Sequence, residues 1–373
     1  MQRTIGFIEC NYSATESSPL TEVRPAASLP FHGRYRLIDF ALSNMVNAGI
    51  SVISLVLPNN YRSIIDHVGA GKEWGLARKR GGLFPAPGSA FGMAREGGRF
   101  LVRDIIANKA VFMRNNYDYV LFSTANFVMN IDFDEMLEAH KATGADITML
   151  TQLVPAGHID ADVVKLECAE GRVLGCSFGA EAGDTAFLDA FVVNREVLRD
   201  LLAWYETNDH LDLFEAMESD YRRLNVRTFN YEGFVAPVFN MRALYQVSMD
   251  LRDPDIAAQL FKPERTIKTK SHDTSPAKYE SGCVVENSLV SSSCKIAGEV
   301  RGSILGRHCV IEPGAVVTDS VLMQGTTVKS GAKVANAIID RNNTIDTGMV
   351  LCGTPERILY YAKSDDYRAG TDN

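Results

Sequence analysis

An aliphatic residue that recurs every six positions is the strongest constraint on the fold of this chain. The repeat runs from Val284 to Leu351, and small or polar residues and glycines fill the positions between. A six-residue period fits neither an α-helix nor a simple strand alternation, but it fits a triangular solenoid in which each side contributes one inward aliphatic residue per turn. We therefore predict about four coils of parallel β-helix. The predicted inward residues are Val284, Val290 and Ile296; Ile304, Val310 and Val316; Leu322, Val328 and Val334; and Ile339, Ile345 and Leu351.

The chain before this repeat alternates short apolar runs with amphipathic segments. The pattern predicts strands over 4–8, 50–57, 119–124 and 146–153, and helices over 36–46 and around 133–142. Strands that alternate with helices indicate a doubly wound parallel sheet up to about residue 240, with ligands at the carboxyl ends of strands. Here those ends are the segments after Glu9 and Thr124. We predict an α/β domain over 1–245, a linker over 246–280 and a β-helix domain over 281–373.

Charge and cysteine content limit the partners and the compartment. The chain has 38 Lys and Arg against 46 Asp and Glu, a formal net charge of −8. This acidity removes the long-range attraction to phosphate backbones, and no basic block overrides it, so nucleic acid is not expected as a partner. The 7 cysteines show neither a CxxC pair nor zinc-ligand spacing, which favours reduced thiols. The first apolar run is too short for a signal peptide or a membrane span, so we expect a cytoplasmic protein without membrane contact.

Two stretches carry a family resemblance. The segment from Arg34 to Asn44, followed by Asn47-Ala48-Gly49-Ile50, resembles the bacterial ADP-glucose pyrophosphorylases. These enzymes make ADP-glucose for glycogen from ATP and glucose 1-phosphate. The resemblance covers nearly the whole chain and implies a Rossmann-like nucleotidyltransferase domain followed by a left-handed β-helix. Within the family, the sequence is most similar to the GlgD-type subunits, the non-catalytic partners of GlgC-type subunits in some Gram-positive bacteria.

The residues that nucleotidyl transfer requires are missing at the positions that the resemblance assigns to them. The reaction needs a phosphate cradle, cations for the leaving pyrophosphate and carboxylates that hold Mg²⁺. The family's cradle is rich in glycine and follows the first strand, yet residues 10–32 contain no glycine. The resemblance aligns the catalytic arginine with Glu16 and the lysine that follows it with Ala26. It aligns the two metal-binding aspartates with Asn126 and Pro237, and an amide cannot supply a carboxylate's charge to Mg²⁺.

Coincident loss of these groups predicts a catalytically inactive subunit. The stretch that lines the nucleotide and sugar in the family aligns with residues 100–104, which do not match it. We expect no cofactor on this chain and Mg²⁺ in the catalytic partner. The leading hypothesis is a regulatory subunit that activates a GlgC-type subunit within a heterotetramer. Two alternatives stay open: an active glucose-1-phosphate adenylyltransferase whose metal is held by Glu9 with Asp132, and a sensor that binds sugar phosphate or nucleotide without turnover.

A phosphorylated effector is a further candidate partner. Arg24 and Arg36 match arginines that bind such effectors at the domain junction of the catalytic relatives, and Lys333 lies in a β-helix coil that could face them. Ordinary surface ion pairing is the competing interpretation, and other effector positions are apolar here. Trp74 has two interpretations as well, a ring that stacks on a base or one that packs against the sheet.

Overall fold

The computed structural model describes residues 3–10, 20–22, 24–88, 98–113, 117–155 and 160–362. Its helices are α1 (Leu37–Asn47), α2 (Arg62–Val68), α3 (Val102–Ala107), α4 (Ala110–Met113), α5 (Phe133–Thr143), α6 (Arg195–Trp204), α7 (Leu213–Ala216), α8 (Met241–Asp250) and α9 (Pro254–Leu260). The strands before α8 are β1 (Thr4–Glu9), β2 (Pro30–Phe31), β3 (Tyr35–Arg36), β4 (Val52–Leu57), β5 (Gly82–Pro87), β6 (Tyr119–Thr124), β7 (Phe127–Met129), β8 (Ile147–Leu153), β9 (Asp160–Ala169), β10 (Arg172–Ala180), β11 (Thr185–Asn194), β12 (Val226–Asn230) and β13 (Val235–Pro237). The predicted strands correspond to β1, β4, β6 and β8, and the predicted helices to α1 and α5.

A nine-stranded sheet organises the first domain in the order β5-β4-β1-β6-β11-β8-β12-β10-β9. The prediction that this sheet is parallel throughout was wrong, because β11 runs antiparallel to both β6 and β8. The physical reason is the connection between β8 and β11. The described residues between these two strands form the antiparallel pair β9 and β10 and no helix, whereas parallel neighbours are usually joined by a helical crossover.

Two hydrophobic cores lie on the opposite faces of this sheet. Successive residues of β1 alternate between them, with Phe7 in one core and Ile8 in the other. Helix α1 presents a stripe that includes Leu42 and Met45 to the first core, and α6 presents Leu198 to the second. Burial on both faces explains why the central strands read as continuous apolar runs in the sequence.

The second domain is a parallel β-helix of three five-stranded sheets. Its strands are β14 (Lys278–Tyr279), β15 (Val284–Glu286), β16 (Leu289–Val290), β17 (Lys295–Ile296), β18 (Glu299–Arg301), β19 (Ile304–Leu305), β20 (Val310–Ile311), β21 (Val316–Thr318), β22 (Val321–Leu322), β23 (Thr327–Val328), β24 (Lys333–Ala335), β25 (Ala337–Ile339), β26 (Thr344–Ile345), β27 (Val350–Cys352) and β28 (Leu359–Tyr361). The sheets are β14-β17-β20-β23-β26, β15-β18-β21-β24-β27 and β16-β19-β22-β25-β28. Each sheet therefore contains one strand more than the about four coils predicted from the repeat.

The repeat located the coil interior, but its register was wrong by one residue at Val284, whose neighbour Val285 stacks on Val300, and in the second triad. The stacked inner positions there are Leu305, Ile311 and Val317, which are 0–1% exposed, whereas Val310 and Val316 are only partly buried. Each of these short strands carries two adjacent aliphatic residues, and a one-residue slip exchanges the faces of a strand. Only stacking on the neighbouring coil decides which of the two residues points inward.

A third core joins the two domains, because it contains Phe40 of α1, Leu244 of α8 and Ile338 of β25. The Tyr245 hydroxyl also donates to the Asp319 carbonyl oxygen at 2.7 Å across this junction. The segment 246–280, predicted as a linker, contains the second half of α8 and all of α9. In the described part of the chain, no helix is both long enough and apolar enough to cross a membrane.

Candidate functional site

The structure brings together the two positions at which the resemblance places metal-binding aspartates. Strand β7 pairs antiparallel with β13, and Pro237 is the register partner of Phe127. The amide of Val238 donates to the Asn126 carbonyl oxygen at 2.7 Å. Asn126 and Pro237 are therefore neighbours at the carboxyl end of β6, where the sequence predicted a ligand site.

A buried polar cluster surrounds Asn126. It consists of Glu9, Arg99, Thr124, Asn126 and Asp189, each 0–3% exposed. Its central contact is an ion pair in which Arg99 Nη1 lies 2.7 Å from Asp189 Oδ2. The Thr124 hydroxyl donates to the same oxygen at 3.2 Å. Burial raises the pKa of Asp189 above its usual range, while Arg99, Thr124 and Asn126 oppose that shift.

Glu9 ends β1 on the edge of this cluster. It lies beside Thr124 in the parallel register, and its carboxyl group accepts hydrogen bonds from the amides of Phe100 and Leu101. Burial, with a further contribution from the nearby Asp104 carboxylate, raises the pKa of Glu9 to about 8. At neutral pH the group is therefore mostly protonated, and a neutral carboxyl is a poor ligand for a divalent cation.

The cluster does not fit the Mg²⁺ ion that the family implies. No group of three or more His, Cys, Asp or Glu side chains suited to a metal occurs among the described residues. The cation already present is the Arg99 guanidinium, paired with Asp189. The alternative pair, Glu9 with Asp132, is engaged elsewhere, because Asp132 caps α5 through the Asp134 amide at 3.0 Å and pairs with Arg265.

The other positions that the sequence analysis assigned to the nucleotide site lie apart from the polar cluster or outside the described residues. Ala26 lies in a single turn of 3-10 helix over Ala26–Ser28, and its side chain packs against the third core. Glu16 lies outside the described residues. Trp74 is 1% exposed and donates its indole N–H to the Ser43 hydroxyl at 3.3 Å, so it packs in the first core and does not present a stacking face.

An apolar cavity of about 310 Å³ adjoins Pro237. Its walls come mainly from aliphatic and aromatic side chains, such as Val163, Leu188 and Phe234. Asp250 is the one charged side chain among the described residues that line it. A sugar phosphate requires cationic partners, so this lining does not favour one.

The three predicted effector residues do not form one site. Arg24 is 2% exposed and its Nη2 lies 2.8 Å from both carboxylate oxygens of Asp340, so this arginine joins the two domains in a buried ion pair. Lys333 is an exposed residue of β24. Arg36 is half-buried at the domain junction, where its Nη1 donates to the Ser63 carbonyl oxygen at 2.6 Å.

A basic cleft lies between the domains beside Arg36. We define it by Arg34, Arg36, Lys270, Arg307 and Arg341, which line two adjoining cavities of about 630 and 90 Å³. No described acidic side chain lines either cavity, and none forms an ion pair with these cations. Burial and the neighbouring Arg341 guanidinium lower the pKa of Arg36 to about 10. The cleft concentrates positive charge on a chain whose net charge is −8.

Sequence reasoning identified one residue of the basic cleft, Arg36, and missed the others. Lys270 lies in the polar stretch that was interpreted as a linker, and Arg307 and Arg341 lie on separate coils of the β-helix. The available signal was weak. Basic residues that follow an inward aliphatic residue by the same number of positions lie on the same edge of the solenoid. The sequence does not show that this edge faces the α/β domain.

Comparison with known families agrees with the two-domain architecture. Residues 13–161 match the family described as nucleotidyl transferase, and residues 274–357 match the family described as GlmU-like, C-terminal hexapeptide. The predicted fold class, a nucleotidyltransferase-like α/β domain followed by a hexapeptide β-helix, is thereby confirmed.

Similar proteins share most of their length with this chain. Glycogen biosynthesis protein GlgD of Bacillus subtilis (strain 168) is 33% identical over 297 residues, which span 79% of this chain and 77% of that protein. Glycogen biosynthesis protein GlgD of Geobacillus stearothermophilus is 32% identical over 317 residues, 84% of this chain and 83% of that protein. A glucose-1-phosphate adenylyltransferase of Thermomicrobium roseum is 29% identical over 338 residues, 83% of this chain and 78% of that enzyme.

Proposed function

Because the chain belongs to the GlgD family of glycogen biosynthesis proteins, we propose that it is a non-catalytic regulatory subunit of a glucose-1-phosphate adenylyltransferase. In this proposal the chain activates a GlgC-type catalytic subunit by forming a hetero-oligomer with it in the cytoplasm. The observation that carries the proposal is the buried polar cluster. Where the reaction needs carboxylates around Mg²⁺, this chain has Asn126, Pro237 and an internal ion pair of Arg99 with Asp189.

The cluster argues against turnover by this chain on energetic grounds. Removing one preorganised electrostatic group from an active site typically raises the barrier by about 3–4 kcal/mol. Several such groups are replaced here at once, and even non-additive losses of this kind lower a rate by many powers of ten. The neutral Glu9 and the half-buried Ala26 supply no compensating charge.

A subunit without chemistry acts on its partner through a coupling free energy across their interface. The Mg²⁺ and both substrates then bind in the catalytic subunit, and this chain contributes packing surface and any effector it binds. We expect the assembly to be a heterotetramer. The third core supports this mode of action, since it joins the α/β domain to the β-helix and couples their positions.

The test is pyrophosphate release from ATP and glucose 1-phosphate with Mg²⁺, using this protein alone, a GlgC-type subunit alone and their mixture. The expected result is no release by this protein alone and a higher rate in the mixture than in the catalytic subunit alone. The matched control replaces this protein by an equal mass of albumin, which gives no gain. Turnover by this protein alone, or a mixture with unchanged rate, substrate affinity and assembly size, would contradict the proposal.

The basic cleft favours a second, compatible activity, namely binding of a phosphorylated effector. Like charges held together at a partly buried site repel one another, and an anion relieves that repulsion. The side chains of Arg36, Lys270 and Arg307 donate hydrogen bonds to backbone carbonyl oxygens, which carry no full negative charge. A phosphate ester is the matching ligand, because guanidinium groups bind phosphate oxygens in bidentate geometry.

Thermal unfolding in the presence of inorganic phosphate or glucose 1-phosphate tests this second activity. We expect the wild-type protein to unfold at a higher temperature as phosphate is added, by mass action on the folded state. Arg307→Ser and Arg341→Ser should each weaken this effect. Arg62→Ser is the matched control, because the Arg62 side chain is 94% exposed and does not line the cleft. An equal response in all four proteins would exclude the cleft as the site.

A further inference from the structure

The Arg99 guanidinium contacts two oxygen atoms of the types that also bind hard cations. Arg99 Nη1 lies 2.7 Å from Asp189 Oδ2, and Nη2 donates to the Asp162 carbonyl oxygen at 2.5 Å. The Thr124 hydroxyl donates to the same Asp189 oxygen at 3.2 Å and helps to fix the carboxylate. Carboxylate and carbonyl oxygens are ligand types that divalent cations prefer, and here they bind an organic cation.

Two aromatic rings also lie against that organic cation. The guanidinium carbon lies 5.3 Å from the ring centroid of Phe239 and 5.6 Å from that of Phe178. Aromatic faces attract a planar guanidinium and provide no ligand to a metal ion. The site is therefore adapted to the cation that the chain itself supplies.

The backbone is bent at two places to build this contact. Asp189 has φ of 49° and Phe100 has φ of 56°, both in the left-handed region that residues other than glycine rarely adopt. The ladder of β11 with β8 shifts register between Phe187 and Phe191, which brackets Asp189. Backbone strain of this kind persists only where surrounding contacts compensate for it, and the ion pair with Arg99 is such a contact.

We infer that the Arg99 guanidinium is a built-in cation that takes the place of a divalent metal in this domain. The pair of Arg99 with Asp189 ties β11 to the segment that leads into α3, and the next amides along that segment bind Glu9 at the end of β1. The carboxyl ends of β1 and β6 and the middle of β11 are thus held together without a metal. This inference does not depend on a regulatory role, since it concerns the isolated chain.

Chemical rescue tests the inference directly. Arg99→Ala removes the guanidinium and leaves the Asp189 carboxylate buried, so its melting temperature should fall well below that of the wild type. Free guanidinium chloride at about 20 mM, far below denaturing concentrations, should restore at least half of that loss through binding to the folded state. Arg62→Ala, which removes an exposed side chain, controls for general salt effects. Rescue of Arg99→Ala no larger than the response of Arg62→Ala would overturn the inference.

In a second measurement, the expected result is read from the wild-type protein. Mn²⁺ is titrated into the wild-type protein, and the free ion is followed by its electron paramagnetic resonance signal. The expected signal equals that of buffer, because the Arg99 guanidinium already binds these two oxygens. A reduced signal that Asp189→Asn restores would show a metal at this site and would also overturn the inference.

Discussion

Replacing Glu9 by glutamine is expected to change how the stability of the protein depends on pH. Burial and Asp104 raise the pKa of Glu9 from 4.5 to about 8, so the folded protein holds a proton that the unfolded chain releases. Between these two values the folded state binds more protons than the unfolded state, and the free energy of unfolding decreases as the pH rises. At about 1.4 kcal/mol for each unit by which the pKa differs, the whole decrease approaches about 4–5 kcal/mol.

The glutamine variant removes this titration but keeps an oxygen that accepts the Phe100 amide. We expect Glu9→Gln to match the wild type near about pH 4, where the carboxyl is protonated in both the folded and the unfolded state, and to exceed it by several kcal/mol near about pH 9, where the buried carboxylate is charged. Urea unfolding followed by circular dichroism at both pH values measures the difference. The matched control is Glu232→Gln, at an exposed position. The reasoning would be refuted by a difference between Glu9→Gln and the wild type that is the same at both pH values.

Three further predictions concern the rest of the fold. Arg24→Met leaves the buried Asp340 carboxylate without its cation and should lower the free energy of unfolding by about 3–5 kcal/mol; a calorimetric loss below about 1 kcal/mol would contradict this. A thiol reagent should modify the exposed Cys168 and Cys352 in the native protein and the three buried thiols only after unfolding, so rapid reaction of a buried thiol counts against the structure. Gly298→Ala should destabilise the β-helix by about 1–3 kcal/mol, because its Cβ would clash with backbone carbonyl oxygens of the next coil, and an unchanged melting temperature would show otherwise.

The substitutions at Asn126 and Pro237 could be found at single positions of the sequence, whereas the contacts of the buried polar cluster could not. Asn126 and Pro237 fall within recognisable local segments, so an alignment of short motifs was enough to find them. The partners Arg99 and Asp189 are 90 residues apart and belong to no motif. Their contact depends on a register shift in β11 and two left-handed residues, which a sequence pattern does not encode.

The sequence by itself determined the class of each domain, because hydrophobic periodicity is a local property. The six-residue repeat specified a β-helix, and the alternating strands and helices specified an α/β domain. Only the tertiary structure decided which of two adjacent aliphatic residues enters the coil, as for Ile311 over Val310. It also decided that Arg24 is buried against Asp340 while Arg307 and Arg341 face Arg36. Charges act through space, and the distances between them exist only once the two domains have packed together.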